Sequence, residues 1–467
     1  MGVIETDYLV VGAGVSGLAF VDSLIRAGDA EVLMVDKRHR PGGHWIDCYP
    51  FVRLHQPSAT YGVASRRLGA DKIDDAGPNA GFYERARGAE IAVYFGKVLD
   101  EDLQPTGRVS FQGLTEYRGH DADGHHLVSL LTGAETTVRV RRKLVDATYV
   151  ESDIPSRHTP QFGVGDGVSV VPPNALVDLA DAPGGFTVVG AGKTAMDTCN
   201  WLLDEGVDPD RIRWVKPQDG WYFNREVVQP LEKVGRFMQM QGEWVGAAAV
   251  ATDGLDFFRR LEAADVFLRI DPDVEPTAYR GATISKREVA ALRGIERVVR
   301  KGRISAITAD RVVLAGGEEP GHPDELYVDC TAAGVRATQP RPIFEPDRIT
   351  LQYVLVGQVP YGAATQGFVE AVRDDDAEKN RLCPPVAFTG RAADILDLVR
   401  PALTGTTARR AEPDLADWDS RCRLNPGAAA REHLDDPQVA NAIGAIMANI
   451  GPAFANLARR TETVAAT

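Results

Sequence analysis

The chain has 467 residues, of which 44% are hydrophobic and 25% charged, and a formal charge of −14. That length allows two or three domains with a sizeable core, and the acidic balance argues against nucleic acid or an anionic membrane surface as a partner. Five scattered cysteines (Cys48, Cys199, Cys330, Cys383 and Cys422) show neither C-x-x-C nor zinc spacing. They fit a reducing cytoplasm, and no metal site is expected.

The first element is a strand-like run, Tyr8-Leu9-Val10-Val11, that breaks into Gly12-Ala13-Gly14-Val15-Ser16-Gly17. It begins so early that no signal peptide is expected. An amphipathic helix follows, with Leu18, Val21, Leu24 and Ile25 on one face. Then comes a second strand, Val32 to Val35, ending in Asp36. Gly12 permits a tight turn, Gly14 lets the backbone approach a pyrophosphate, and Gly17 lets the helix pack against the strand. The helix N-terminus, with Ser16 in its first turn, offers N–H groups to phosphates. Asp36, with Lys37 beside it, is placed to accept hydrogen bonds from a ribose. NAD and FAD both use this arrangement.

Short alternating runs follow: Val109 to Phe111, His126 to Leu131, and Thr136 to Val140. They read as a small antiparallel sheet. Lys143 to Tyr149 reads as a buried strand returning to the first unit, with Ala147 and Thr148 at its end. Ser152 to Gly185, rich in Pro, Gly and Asp, reads as a crossing between domains.

A second fingerprint then appears. Phe186 to Val189 leads into Gly190-Ala191-Gly192-Lys193-Thr194-Ala195 and a helix through Leu203. The next strand, Arg211 to Val215, ends in Lys216 where the first unit has Asp36. An acid there repels a ribose 2′-phosphate and a lysine attracts it. The first unit therefore suits FAD and the second NADPH, with Arg213 and Arg225 as further candidate clamps. The aromatic run Trp221-Tyr222-Phe223 flanks adenine, lines substrate or simply packs. Late in the chain, Glu325 to Gly334 repeats the pattern of Val145-Asp146-Ala147-Thr148. Leu355 to Phe368 reads as a strand, a glycine-rich loop and a helix start, with Gln358, Thr365 and Gln366 as cofactor contacts. The tail from Asp375 is helical. Within it, Val439 to Ala458 is interrupted by Asn and Pro and reads as a buried or interface helix, not a membrane crossing.

Gly42-Gly43-His44-Trp45, followed by Tyr49-Pro50-Phe51-Val52-Arg53, resembles the pattern of the flavin-containing and Baeyer–Villiger monooxygenases. The resemblance covers roughly residues 5 to 370. It implies an α/β fold of two Rossmann-like dinucleotide-binding domains, for FAD and NADP, the second inserted into the first. A small antiparallel sheet and a helical C-terminal region complete it. The expected boundaries are 1–165 and 336–467 for the FAD domain with the helical region, and 166–335 for the NADP domain. The resemblance adds Gly43, His44, Trp45, Arg53, Val109, Ala147 and Thr148 to the FAD contacts. It places His55, with Gln56 beside it, next to the flavin, where the related enzymes carry Asn or Asp. It implies an oxidoreductase that passes hydride from NADPH to FAD and inserts one oxygen from dioxygen through a flavin peroxide. Two alternatives stand beside it: an NADPH-dependent flavin reductase or dehydrogenase without oxygen insertion, and a non-catalytic flavin redox sensor. The partners implied are a small-molecule substrate and dioxygen, and a homodimer is admissible.

Overall fold

Two sheets with parallel centres organise the chain, and the second is built from residues between the strands of the first. The structure, a computed structural model, describes residues 3–322, 324–355 and 357–465. The first sheet starts with β1 (Val3–Val11), which feeds α1 (Val15–Ala27) and returns as β2 (Val32–Val35). Helix α2 (Gly88–Lys97) follows, then β3 (Val109–Gln112), β4 (Thr115–Asp121), β5 (Gly124–Ser129) and β6 (Glu135–Asp146). The sheet order is β3-β2-β1-β6-β5-β4. β1 lies between parallel neighbours, with Tyr8 opposite Val32 on one side and Lys143 on the other. Leu9 and Val10 are fully buried, the reading of a central parallel strand covered on both faces.

Two expectations are corrected here. Val109–Gln112 pairs parallel with Val32–Val35 as an edge of the main sheet and does not join the antiparallel group. The expected strands Thr136–Val140 and Lys143–Tyr149 are one twelve-residue strand, β6. The first part of β6 also carries the antiparallel partner β5. The small antiparallel sheet is thus β4, β5 and the start of β6, fused to the parallel sheet through a shared strand.

The second unit runs from β7 (Gly163–Val164) and β8 (Ser169–Val171) to β9 (Gly185–Val189), α3 (Lys193–Asp204), β10 (Ile212–Val215) and β11 (Gly220–Asn224). It continues through α4 (Val234–Val250), α5 (Gly254–Ala263), β12 (Phe267–Leu268), β13 (Ala278–Ile284), α6 (Lys286–Arg293) and β14 (Val298–Val299). It closes with β15 (Ile304–Ile307), β16 (Arg311–Leu314), β17 (Gly317–Pro320) and β18 (Glu325–Asp329). Its main sheet has the order β14-β10-β9-β18-β8, all parallel. The stretch 152–185 is therefore more than a crossing, since it supplies β7 and β8. β11, β12 and β13 form a separate three-stranded sheet, and β15, β16 and β17 pair with β7 in a fourth.

The chain then returns to the first sheet as β19 (Arg348–Thr350), which pairs with the end of β6. Val356, within the expected strand after it, lies outside the described residues. The remaining elements are helical: α7 (Val359–Val372), α8 (Asp376–Leu382), α9 (Ile395–Arg410), α10 (Pro413–Arg421) and α11 (Pro437–Ala465). α7 packs along α1, and α11 packs along α4, so the C-terminal region joins both units. An aromatic core of Trp221, Phe223, Trp244, Phe257, Phe258 and Phe267 fixes α4 and α5 against the three-stranded sheet. Among the described residues no helix is long and apolar enough to cross a membrane.

Candidate functional site

The two fingerprints have the same backbone construction. Gly12 N–H donates to Val35 O at 2.8 Å and Gly190 N–H to Val215 O at 3.0 Å, so each glycine loop is tied to the strand beside it. Both glycines need the left-handed region, at φ +106° and +138°. A Cβ on Gly17 would run into the Gly12 carbonyl oxygen. The third glycine therefore serves helix–strand packing and does not line the cavity described below. The repeated strand ends match as well. Asp146 accepts from Thr148 N and Oγ1 at 2.9 and 2.7 Å, and Asp329 from Thr331 N and Oγ1 at 2.9 and 2.6 Å.

One cavity of about 1240 Å³ runs between the two loops. Of the expected first-unit residues, Gly12, Gly14, Ser16, Asp36, Gly43, His44, Trp45, His55, Gln56, Ala147 and Thr148 line it. From the second unit come Gly190, Gly192, Lys193 and Thr194, and Gln358 lines it at the N-terminus of α7. Helices α1 and α3 both start at a glycine, Gly14 and Gly192, with no side chain capping the free N–H groups. The open ends suit a pyrophosphate. The floor below the first is equally bare: a Cβ on Gly43 would sit 3.0 Å from the Gly14 Cα. Asp36 is anchored by N–H donors from Ala13 and Arg38, both at 2.8 Å, and each carboxylate oxygen keeps a lone pair for a ribose hydroxyl. These residues fit the two dinucleotides that the sequence implies.

Several expected contacts lie elsewhere. Lys216 is 1% exposed, ion-paired with Asp219 and stacked 4.6 Å over the Trp214 ring, and it does not line the cavity. Arg213 is committed to Glu325 and Thr187, and Arg225 is fully buried and paired with Glu288 at 2.6 Å. Burial inverts the expectation for all three: a cation in the interior needs its own carboxylate. Lys37 turns out to Glu151. Arg53 donates to Arg85 O at 3.4 Å, outside the cavity. Val109 is a strand-edge residue, and Ala195 packs in the core of the second unit. Thr365 bonds Tyr361 O, and Gln366 ties Gln352 to Gly362, so both are buried helix supports.

Two of the cations that line the cavity, Arg280 and Arg303, were not signalled by any local motif. Arg280 on β13 donates to Ala333 O at 2.9 Å, and Arg303 lies between β14 and β15. Neither makes an ion pair with a carboxylate among the described residues. β10 and β14 are parallel neighbours, so Pro217 and Gln218 leave the sheet on the same edge as Gly302 and Arg303, and all four line the cavity.

His55 sits in a cationic setting. Burial first, then Lys193, Arg85 and Arg225, hold its imidazole well below the usual histidine range, so it is neutral at physiological pH. His44 is held at about 4, by burial and then Arg38. Arg85 bonds Leu54 O at 3.1 Å, one residue before His55, and faces Glu288 at 3.7 Å across the unit boundary. Against the cost of burial, Arg225, Lys193 and Arg85 bring the Glu288 carboxyl down to about 2. Tyr49 makes a second bridge, its hydroxyl donating to Asp197 of α3 at 2.8 Å.

A family profile described as an NAD(P)-binding Rossmann-like domain matches residues 10–63, the first fingerprint and the glycine pair after it. Uncharacterised proteins of Mycobacterium tuberculosis (strain H37Rv) and Mycobacterium bovis are each 44% identical over 423 residues, 90% of this chain and 78% of theirs. Among solved structures, the fold is similar to a cyclohexanone monooxygenase with ε-caprolactone bound (15% identity, TM-score 0.53, 88% of this chain and 98% of that one). It is also similar to a polycyclic ketone monooxygenase from Thermothelomyces thermophila (13%, 0.52, 95% and 89%). A steroid monooxygenase bound to NADP gives 14% and 0.50 over 78% and 85%. At these identities the likeness is one of fold.

Proposed function

We propose that this chain, which belongs to one family with the mycobacterial proteins, is an FAD-dependent, NADPH-using monooxygenase acting on a small organic molecule. The observation that carries the reading is the single cavity onto which two uncapped, glycine-started helix N-termini open. When bound, FAD supplies the hydride acceptor for NADPH and the means to place one oxygen atom of dioxygen on the substrate.

The chain's own residues bind and orient. Gly12, Gly14, Ser16 and Gly43 hold the FAD pyrophosphate and Asp36 its ribose. Gly190, Gly192 and Thr194 hold the NADPH pyrophosphate. Arg303, beside the tip of β10, takes the 2′-phosphate role that Lys216 cannot fill. Gln358 and the start of α7 direct N–H groups and a positive dipole end into the cavity. His55, kept neutral by burial and then by its cationic neighbours, donates or accepts one hydrogen bond at the reacting centre without adding charge. Trp45, fixed by its N–H to Tyr61 Oη at 2.6 Å, and Tyr49 help close the region from water. Five free thiols support a reducing, cytoplasmic setting.

A second reading, reduction without oxygen insertion, is favoured by His55 standing where the resembling enzymes carry Asn or Asp. Oxygen consumption with NADPH, measured beside hydrogen peroxide release, separates the two. A monooxygenase shows peroxide falling as a substrate is added while oxygen and NADPH use both continue. An organic acceptor that sustains NADPH use while oxygen use and peroxide fall together would favour the second reading.

A further inference from the structure

The dinucleotides account for the glycine loops, but the cavity extends beyond them along three helices. α9 presents one face along its length: Leu398, Ala402 and Leu403, then Thr406, then Arg410 all line the cavity. At 1.5 Å per residue, Leu398 to Arg410 spans about 18 Å. The wall passes from aliphatic to hydroxyl to cation in one direction. Phe237 and Trp244 of α4, with Gln241 between them in the chain, and Ile443 and Ile450 of α11 line the same cavity. α4 is an insertion between β11 and β12, and α11 is the end of the chain, so neither belongs to the Rossmann core. Arg410 makes no ion pair among the described residues. Arg431, held by Ser420 Oγ at 3.2 Å, is a second cation of the lining. Asp419, beside Ser420 in the chain, lines the cavity as well, and Arg431 also pairs with Glu432 at 3.9 Å, which leaves Arg410 as the cation without a carboxylate partner at this end among the described residues.

We infer that this chamber binds an elongated amphipathic substrate, an apolar body ending in a carboxylate or similar anion, with Arg410 receiving the anionic end. The apolar strip supplies affinity in proportion to the hydrocarbon it covers. A guanidinium at its end rewards an anion over an alcohol of equal length. The inference rests on the dinucleotide reading, because it assigns to the substrate the part of the cavity that FAD and NADPH leave open.

The test titrates FAD-loaded full-length protein with dodecanoate, dodecan-1-ol and butanoate by calorimetry, on the natural chain and on Ala402→Phe and Arg410→Gln. Dodecanoate is expected to bind at least about a hundredfold more tightly than butanoate. Ala402→Phe, which narrows the strip, weakens both long probes. Arg410→Gln weakens dodecanoate about tenfold and leaves dodecanol within about twofold. Retained flavin absorbance shows that each variant is folded, and Leu403→Phe replaces Ala402→Phe if the latter loses its flavin. Dodecanoate binding no more tightly than butanoate overturns the inference, as does binding indifferent to the narrowing substitution. So does an Arg410→Gln effect equal for acid and alcohol. Bleaching of the natural protein's flavin by NADPH is recorded alongside. Bleaching without dodecanoate binding overturns the chamber alone, and no bleaching overturns the dinucleotide reading itself.

Discussion

Replacing Arg303 by Ala and Lys216 by Met separates two accounts of coenzyme choice. A lysine at the tip of β10 is the expected partner of a 2′-phosphate, yet Lys216 is 1% exposed and its ammonium is spent on Asp219, which also receives Arg300 Nε at 3.0 Å. Arg303 lines the cavity on the same sheet edge and holds no carboxylate. A hydrogen bond to a charged group contributes about 1.5–3 kcal/mol net, which is roughly 10- to 150-fold in affinity. R303A is therefore expected to lower the ratio of NADPH to NADH affinity by about that factor, with little change for NADH. K216M is expected to leave the ratio within about twofold. Its cost is stability, about 3 kcal/mol, the low end for breaking a buried pair because Arg300 still faces Asp219. The assay is anaerobic rapid mixing of FAD-loaded protein with each coenzyme, reading flavin bleaching against concentration, with thermal unfolding of both variants. A folded K216M that loses its preference for NADPH, beside an R303A that keeps it, would refute the reasoning.

Three further outcomes follow from the geometry. Gly17→Ala puts a methyl group against the Gly12 carbonyl, so purified protein is expected to carry little flavin, read as the ratio of visible to ultraviolet absorbance. Glu288→Gln leaves Arg85 and Arg225 without their shared buried carboxylate and is expected to cost about 3–5 kcal/mol in denaturant unfolding. The ionised carboxyl's contribution is present above its unfolded value of 4.5 and fades toward about pH 2, so the variant's deficit shrinks on acidification through that window. Burial pushes the Asp419 carboxyl up to about 6, a raised folded-state value. Stability is then lost as pH rises from about 4 through 6, and Asp419→Asn is expected to raise the melting temperature at pH 8 but not at pH 4.

The sequence made the two glycine loops legible because their chemistry is local. The strand, turn and helix that form each lie within thirty residues, and Gly12, Gly17 and Gly190 answer steric demands that no other residue meets. The doubled Asp-x-Thr strand ends were legible for the same reason. Side-chain direction at a strand tip was not. Lys216 turns inward because Asp219 comes three residues later and Trp214 offers its ring, neither of which the fingerprint contains. Val109 was misread because a short alternating run does not state whether its partner is parallel, and its partner Val32 lies 77 residues earlier. Arg280, Arg303 and the three helix faces of the chamber left no motif at all. They meet only once 234–250, 395–410 and 437–465 are brought together by packing.

The most direct measurement is the visible spectrum of the purified protein, before and after anaerobic addition of one equivalent of NADPH. Two facing, uncapped dinucleotide loops predict about one FAD per chain and its complete bleaching by that equivalent. A colourless protein that takes up no FAD, or a bound flavin that NADPH leaves oxidised, would contradict the account.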